Sequence, residues 1–391
     1  MLNSELKEDL AVRLQRIQST LREQGADACL LTTNVNIFYA TGGIYTGFCY
    51  IPVEGKPLHF IKSPNSEVLE NSVLIHKPEQ ITTFLAERNI LLPKNIFLEI
   101  DAVPYSSIIR LQHALGNPAV QNASVLLRRI RSIKTPYEIN QIRLCARRHE
   151  AVYVAISSVF CLGMTDIQLQ IEIERLMRLH GSIGEFRGYG ENMEIFMGSL
   201  LAGDNAQAPS PFDFALGGAG ISPVVPLGAN GSVIEHGQTI MVDMAGNFTP
   251  WMTDMTRVFS VGKTSVLAYR AHQVSMDIHH KIQDEFKVGT ACAALYETAE
   301  KMVKNASLTD YFMGTVQQAK FVGHGLGLEI NEPPVLTPRS KDFLEKNTVF
   351  ALEPKFVIPG IGAVGIENTY LVTENGLETI TCFEEPIIEL S

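Results

Sequence analysis

Two aspartates, one histidine and two glutamates stand in a fixed order in the carboxyl-terminal part of the chain. They are Asp243 in IMVDMAG, Asp254 in DMTR, His324 in GHGLG, Glu353 in ALEP and Glu367 in GIENT. Carboxylates can bridge two divalent cations and cancel most of their charge, while an imidazole adds a borderline ligand. Two cations held in this way activate a bridging water and polarise a carbonyl. The residue types therefore predict metal-assisted hydrolysis.

The residues around these five side chains predict two hairpins that would bring them together. The stretch TIMVD is an apolar strand, and Asp254 opens a second strand, TRVFSV, after a turn-rich segment. Such strands pair as a hairpin and place their carboxylates side by side. Glu353 closes the apolar run TVFAL and Glu367 lies inside GAVGIENTYLV, so a second hairpin would supply the other pair. His324 lies between glycines, where the backbone can turn sharply and approach an ion.

The order and context of these residues resemble the pita-bread metallopeptidases, which include methionine aminopeptidase, prolidase and aminopeptidase P. Ten residues separate Asp243 from Asp254, and the family's Asp-x-Thr-Arg, Gly-His-Gly-x-Gly, Glu-Pro and Glu-Asn-Thr pieces follow in order. The resemblance covers approximately residues 135–385. It implies an α+β catalytic domain of the pita-bread fold, with internal pseudo-two-fold symmetry.

The first part of the chain extends the resemblance. The segment RLQRIQSTLREQGADACLLTTNVNIFYATG is similar to the amino-terminal domain of prolidases, aminopeptidases P and creatinase, which methionine aminopeptidases lack. That resemblance implies an α/β, ribonuclease H-like domain over residues 1–134 and a catalytic domain over residues 135–391. The stretch RSIKTPYEI resembles the junction, where Pro136 suits the first turn of a helix.

The resemblance implies a role for each of the five ligands. Asp243 would chelate one metal ion, Asp254 and Glu367 would bridge both ions, and His324 and Glu353 would each complete one side. Glu353 would also be the general base, because it can accept a proton from the bridging water.

The same resemblance implies a role for two threonines and the identity of the metal. Thr256 and Thr369 would orient the carboxylates through their hydroxyls. The cofactor would be two divalent ions, with Mn²⁺ favoured by analogy and by the oxygen-rich ligands. Co²⁺, Zn²⁺ and Fe²⁺ stay open as alternatives.

Three positions depart from the family pattern at the substrate side. The family usually has a histidine in G-x-N-x-x-x-P-H, whereas GDNAQAPS places Ser210 there; an alignment on PLG places Leu227 there instead. Asn331 in NEPP replaces the histidine of H-E-x-P, and Gly365 in VGIE replaces the arginine of V-R-I-E. We therefore predict substrate contacts at Asn331 and Ser210, in a pocket that differs from the usual one.

Three functions are compatible with these residues. The first is a dinuclear metal-dependent hydrolase of aminopeptidase P or Xaa-Pro dipeptidase (prolidase) type, which cleaves short peptides near the amino end through a metal-bridging water. The second is a metal-dependent hydrolase of another C–N bond in a small amide, and the third is a non-catalytic peptide-binding homologue. The resemblance also implies a homodimer.

Composition argues against several partners. The 391 residues include 32 Lys and Arg against 42 Asp and Glu, a net charge of −10, and the basic residues form no long run. Nucleic acid and anionic membranes are therefore poor partners. The first ten residues suggest an acidic amphipathic helix rather than a signal peptide. The six cysteines form no C-x-x-C pair, which is typical of reduced thiols in a cytoplasmic protein.

Periodicity predicts the main elements. Residues 5–24 are expected to form a helix and 27–32 a strand, with a hairpin centred on Glu54 and Gly55. In the second part, apolar residues at helical spacing predict a helix from Ile139 to about Val159, and Thr165 begins a capping-box sequence for the next helix. Two further helices precede the second predicted hairpin. Two helices followed by a hairpin, twice over, is the half-repeat that the resemblance implies.

Overall fold

A computed structural model describes residues 4–64, 69–190, 196–212 and 214–390. The chain divides into two compact units, Met1–Arg131 and Ser132–Ser391. The predicted division after Lys134 lies just inside the second unit.

The first unit is an α/β domain built on one six-stranded sheet. Its strands follow the spatial order β4-β3-β2-β1-β5-β6. Its elements are α1 (Ser4–Glu23), β1 (Ala28–Leu31), α2 (Asn34–Thr41), β2 (Thr46–Pro52), β3 (Leu58–Ser63), β4 (Ser72–Leu74), α3 (Gln80–Glu87), β5 (Asn95–Leu98), α4 (Tyr105–Ala114), β6 (Ala119–Asn122) and α5 (Ala123–Ser132).

Hydrophobic burial explains why the central strands of this sheet form. Strand β1 is buried at all four positions and pairs antiparallel to β2 and parallel to β5. Strands buried in this way carry continuous apolar runs, as in ACLL and NIFL. The predicted first helix is confirmed as α1, and the hairpin around Glu54 and Gly55 is confirmed as β2 and β3.

In its described residues, the second unit contains helices and three antiparallel or mixed sheets. Its elements are α6 (Pro136–Ile156), α7 (Asp166–Leu179), β7 (Gly198–Ala202), β8 (Thr239–Gly246), β9 (Thr253–Val261), α8 (Val266–Glu285), α9 (Cys292–Asn305), β10 (Gly323–Gly325), β11 (Glu332–Val335), β12 (Val349–Leu352), β13 (Lys355–Ile358), β14 (Gly362–Gly365), β15 (Asn368–Thr373), β16 (Gly376–Thr379) and β17 (Ile388–Leu390).

Local signals set where the first helices of this unit begin. Thr135 caps α6 in a reciprocal capping box with Glu138, and Pro136 occupies the first turn. The predicted capping box of Thr165 and Gln168 is confirmed at the start of α7. Helix α6 ends at Ile156, slightly earlier than the apolar periodicity suggested.

The order of elements repeats within the second unit. Helices α6 and α7 precede the β8–β9 hairpin, and helices α8 and α9 precede the β13–β14 hairpin. The β8–β9 pair belongs to a sheet of order β17-β9-β8-β7, whereas β12 and β15 lie in a sheet of order β11-β10-β12-β15-β16. This is the α+β half-repeat that the sequence predicted. No helix within the described residues is long and apolar enough to cross a bilayer.

Candidate metal centre

The β8–β9 hairpin places the two aspartates on one face of its sheet. Asp243 lies opposite Thr256, and Ala245 lies opposite Asp254. The two acidic positions are therefore diagonal neighbours across an antiparallel pair, within reach of each other. The sequence predicted this juxtaposition from strand pattern alone.

The remaining three predicted ligands come from the second half-repeat. Glu353 lies between β12 and β13, and Glu367 lies between β14 and β15. His324 is in β10, opposite Ala351 of β12. The backbone N–H of Glu367 donates to the carbonyl of Thr256 at 3.2 Å, which joins the two half-repeats at the site.

All five predicted side chains meet in two overlapping clusters. Ligand atoms of Asp254, His324 and Glu367 lie within 4.8 Å of one another, and so do those of Asp243, Glu353 and Glu367. Glu367 is common to both clusters. The five residues also line one cavity.

The imidazole of His324 can present Nε2 to a cation. Its Nδ1 lies 3.2 Å from the carbonyl oxygen of Gly325, which can only accept a hydrogen bond. In the neutral ring Nδ1 then carries the proton and Nε2 presents a lone pair. Nε2 lies 3.5 Å from Oε1 of Glu353 and 3.9 Å from Oδ2 of Asp254. A lone pair facing two carboxylates favours a cation between them.

A buried lysine that the sequence analysis did not single out occupies the other cluster. The Nζ atom of Lys355 lies 2.8 Å from Asp243 Oδ2, 2.7 Å from Glu353 Oε2 and 3.1 Å from Glu367 Oε2. Its side chain has no solvent exposure. These are the three residues of the second cluster, so the predicted pair of ions meets a competing cation in one of its two positions.

The charges of the centre perturb one another. Burial raises the pKa of Asp254 well above its usual range, and the charges of Glu367 and Asp243 raise it further. Burial also raises the pKa of Glu367 to about 8, although Lys355 lowers it. Burial opposes the charge of Lys355, but Asp243, Glu353 and Glu367 outweigh burial and raise its pKa well above its ordinary value. Negative charge is therefore in excess even with the lysine present.

The predicted supporting threonines contact the ligands in different ways. The hydroxyl of Thr256 donates to Oε2 of Glu367 at 2.7 Å. The hydroxyl of Thr369 instead binds the backbone of Asp254, accepting from its N–H at 2.9 Å and donating to its carbonyl at 2.8 Å. Buried Arg257 donates to the carbonyls of Thr256 and Glu367 at 2.8 and 2.9 Å. These bonds fix the backbone that carries the ligands.

The predicted substrate residues, Asn331 and Ser210, line two different cavities. Asn331 lines the same cavity as the ligands. Its amide accepts from the N–H of Tyr189 at 2.7 Å and donates to the Tyr189 carbonyl at 2.6 Å, so it fixes a neighbouring loop. Leu227 also lines this cavity, whereas Ser210 lines an adjacent one that shares Phe214 with it. The alignment that places Leu227 at the family's histidine position therefore puts that residue in the cavity of the predicted ligands.

Apolar side chains form much of the cavity wall. They are Phe186, Phe214, Leu227, Phe321 and Ile330. A wall of this kind accepts an apolar group of a ligand beside the charged cluster.

Gly365 faces Lys355 across the β13–β14 hairpin. Its φ is +122°, and a Cβ at this position would lie 2.6 Å from the carbonyl oxygen of Pro354. The hairpin therefore leaves no room at position 365 for the arginine of the family pattern. The positively charged side chain of this hairpin is Lys355, on the strand opposite Gly365.

The donor atoms fit a divalent ion at the cluster of Asp254, His324 and Glu367. Oε1 of Glu367 is buried and has no hydrogen-bond partner among the described residues, while its Oε2 is taken by Thr256 and Lys355. A buried carboxylate oxygen without a partner is costly unless a cation binds it. Together with the free Nε2 of His324, it supplies a mixed nitrogen and oxygen ligand set.

Comparisons with known proteins show the family of the chain. A family model described as Metallopeptidase family M24 matches residues 140–374, and one described as Creatinase/Prolidase N-terminal domain matches residues 13–133. An Xaa-Pro dipeptidase from Pyrococcus horikoshii is 23% identical over 381 residues, which cover 96% of this chain and 98% of that protein.

Two solved structures share the fold over nearly the whole chain. An Xaa-Pro dipeptidase from Bacillus anthracis matches with a TM-score of 0.82 at 24% identity, covering 97% of this chain and 100% of that one. An X-Pro aminopeptidase from Thermotoga maritima matches with a TM-score of 0.78 at 21% identity, covering 96% of this chain and 99% of that one. The likeness covers both units.

Proposed function

Because this chain belongs to metallopeptidase family M24, we propose that it hydrolyses short peptides near their amino end, with Xaa-Pro peptides as the first candidates. The observation that carries the proposal is the convergence of Asp254, His324, Glu353 and Glu367 on one cavity, where one oxygen of Glu367 has no hydrogen-bond partner in the described part of the chain. The relatives named as Xaa-Pro dipeptidases and an X-Pro aminopeptidase support the choice of substrate.

Of the predicted ligands, Asp254, His324 and Glu367 would hold a metal ion, with Mn²⁺ as the ion we propose. A divalent ion bound there would polarise the peptide carbonyl and lower the pKa of a water beside it. The oxygen-rich ligands support manganese over softer metals.

Glu353 would be the general base. Its Oε2 accepts from Lys355 at 2.7 Å, which fixes the carboxylate, while its Oε1 lies on the side of His324 at 3.5 Å. Oε1 can therefore accept a proton from an attacking water near the metal ligands and pass it to the leaving amine. The apolar wall of Phe186, Phe214 and Phe321 would hold an apolar side chain or a proline ring of the substrate.

The experiment is turnover of a mixed library of short peptides by manganese-loaded protein, read by mass spectrometry. Metal-free protein and Glu353→Gln are the negative controls, and Glu378→Gln, at a surface ion pair with Arg143, is the matched control. We expect cleavage that requires both Mn²⁺ and Glu353, with a loss of at least about 100-fold in Glu353→Gln. Absence of cleavage of any peptide would contradict the proposal and direct attention to small non-peptide amides.

We also propose a homodimer in the cytoplasm. The dimer follows from the family resemblance, and the six cysteines, which include no C-x-x-C pair, support a reducing compartment. Light scattering of the purified protein tests the dimer, and fractionation of the source cells tests the location.

A further inference from the structure

Lys355 fills a position that would otherwise hold a cation. Its ammonium contacts one oxygen each of Asp243, Glu353 and Glu367 at 2.7–3.1 Å. The same three residues form one of the two clusters with metal-ligand spacing. The lysine therefore satisfies the complete ligand set of that cluster.

An ion and the ammonium cannot share this cluster. A metal ion bound to three carboxylate oxygens lies about 2.0–2.6 Å from each. An ion bound to the three oxygens that Nζ contacts would fall inside the same triangle, and the two would overlap. The lysine has no space to withdraw without breaking packing, because its side chain is completely buried.

The cluster of Asp254, His324 and Glu367 remains available to a metal ion. No contact joins Lys355 to Asp254 or to His324 among the hydrogen bonds and ion pairs found in the described residues. Glu367 gives Oε2 to the lysine and keeps Oε1 free. The remaining donors can therefore hold one ion beside the ammonium.

The charge of the centre agrees with this division. Four carboxylates surround the site, and Lys355 supplies a single positive charge. One divalent ion raises the positive charge from one to three against four negative charges, which leaves the centre close to neutral. Without that ion, four negative charges face the single positive charge of Lys355.

We propose that the ammonium of Lys355 replaces one of two metal ions, so that this chain binds a single divalent ion at Asp254, His324 and Glu367. This inference rests on the proposed metal dependence of the site, but it concerns the number of ions and not the substrate. In this arrangement Asp243 forms an ion pair with Lys355 and does not bind metal.

The primary test counts metal ions. The protein is loaded with Mn²⁺, freed of excess ion, and analysed by native and inductively coupled plasma mass spectrometry. We expect one ion per chain in the wild type and in Lys346→Ala, an exposed lysine that serves as control. We expect two ions per chain in Lys355→Ala, because the second cluster is then open. Two ions or none in the wild type would overturn the inference, as would one ion in folded Lys355→Ala.

A second pair of variants tests the inference even if Lys355→Ala does not fold. In the presence of Lys355, Asp243→Asn should keep one ion, whereas Asp254→Asn should lose it. Equal loss of metal in both variants would mean that Asp243 is a metal ligand and would contradict the assignment. These counts are independent of the peptide assay: one ion without cleavage removes the proposed substrate, and cleavage with two ions removes the proposed role of Lys355.

Discussion

Glu353 and Lys355 are two positions apart in an extended segment, and this spacing explains how both reach one site. Side chains at i and i+2 of an extended chain point to the same side. Acidic and histidine side chains are the usual ligands of divalent ions, so the lysine in LEPK does not belong to the predicted ligand set. The signal was present, because a ligand at Glu353 implies that the side chain at 355 faces the same centre.

Thr256 gives a test at the scale of a single hydrogen bond. Its hydroxyl donates to Oε2 of Glu367 at 2.7 Å, and the residue is completely buried. Thr256→Val removes this donor at nearly constant volume in a β-strand. We expect metal affinity to fall by about 10- to 100-fold, as for other residues that orient metal ligands.

Titration calorimetry with Mn²⁺ measures this effect. Thr256→Ser keeps the hydroxyl and should retain most of the affinity. Unchanged affinity in Thr256→Val would show that the hydroxyl does not set the position of Glu367.

At the scale of the element, the β13–β14 hairpin depends on a glycine that faces Lys355. A Cβ at Gly365 would meet the carbonyl oxygen of Pro354 at 2.6 Å, in addition to the strain of φ +122°. Gly360, in the turn of the same hairpin, has φ +77° but no atom within 4 Å of its Cβ position. Substitution at the two glycines therefore distinguishes the effect of a steric clash from the effect of backbone strain.

We expect Gly365→Ala to lower the free energy of unfolding more than Gly360→Ala does. Backbone strain alone costs about 1 kcal/mol, and a conflict with backbone atoms adds about 1–3 kcal/mol. Urea denaturation of both variants measures the difference. Equal losses would mean that the hairpin relaxes around the added methyl group.

In the loop of residues 184–190, the side chain of Asn331 binds the backbone at Tyr189, while that of Asn247 binds the carbonyl of Glu185. Asn331 makes two hydrogen bonds to the backbone of Tyr189, and the N–H of Ile330 donates to the carbonyl of Arg187 at 2.8 Å. Loss of the Asn331 amide removes two bonds, at a cost of about 1–3 kcal/mol. Asn331→Ala should therefore open the loop more often.

Limited trypsin digestion detects this opening, because Arg187 is a cleavage site within the loop. We expect cleavage after Arg187 to become about tenfold faster in Asn331→Ala. Asn375→Ala, in an exposed turn, is the control. A rate equal to that of the wild type would show that other contacts hold the loop.

At the scale of the whole molecule, four buried histidines link stability to pH. Burial lowers the pKa of His59 and His272 to about 4 and that of His149 and His279 to about 3. In the unfolded chain a histidine titrates near about 6.5. Between these values the unfolded state binds protons that the folded state does not, so stability falls as pH falls.

We expect the free energy of unfolding to decrease from about pH 6.5 down to about pH 4. Each histidine contributes at most about 1.4 kcal/mol per pH unit. Denaturation at a series of pH values measures the slope, and His279→Asn should reduce it. Exposed His76→Gln is the control and should leave it unchanged. A slope that is equal in His279→Asn and the wild type would contradict the linkage at this residue.

Much of the architecture was predictable because it depends on local patterns. The apolar periodicity of α6, the capping box at Thr165 and the strand runs around Asp243 and Asp254 are properties of short segments. Ordered motifs then linked these segments to a family with a known arrangement. The structure agrees with the α/β first unit and the repeated helix-helix-hairpin pattern of the second.

Residue types, strand spacing and ordered motifs were enough to predict which side chains converge, namely Asp243, Asp254, His324, Glu353 and Glu367. The packing of distant segments decides what shares the site with them: it brings Asp243 and Glu367 to the ammonium of Lys355, puts Leu227 in the cavity wall, and ties Asn331 to the loop of Tyr189. These contacts join side chains from segments that are far apart in sequence. Their distances depend on packing and register, which no local pattern encodes.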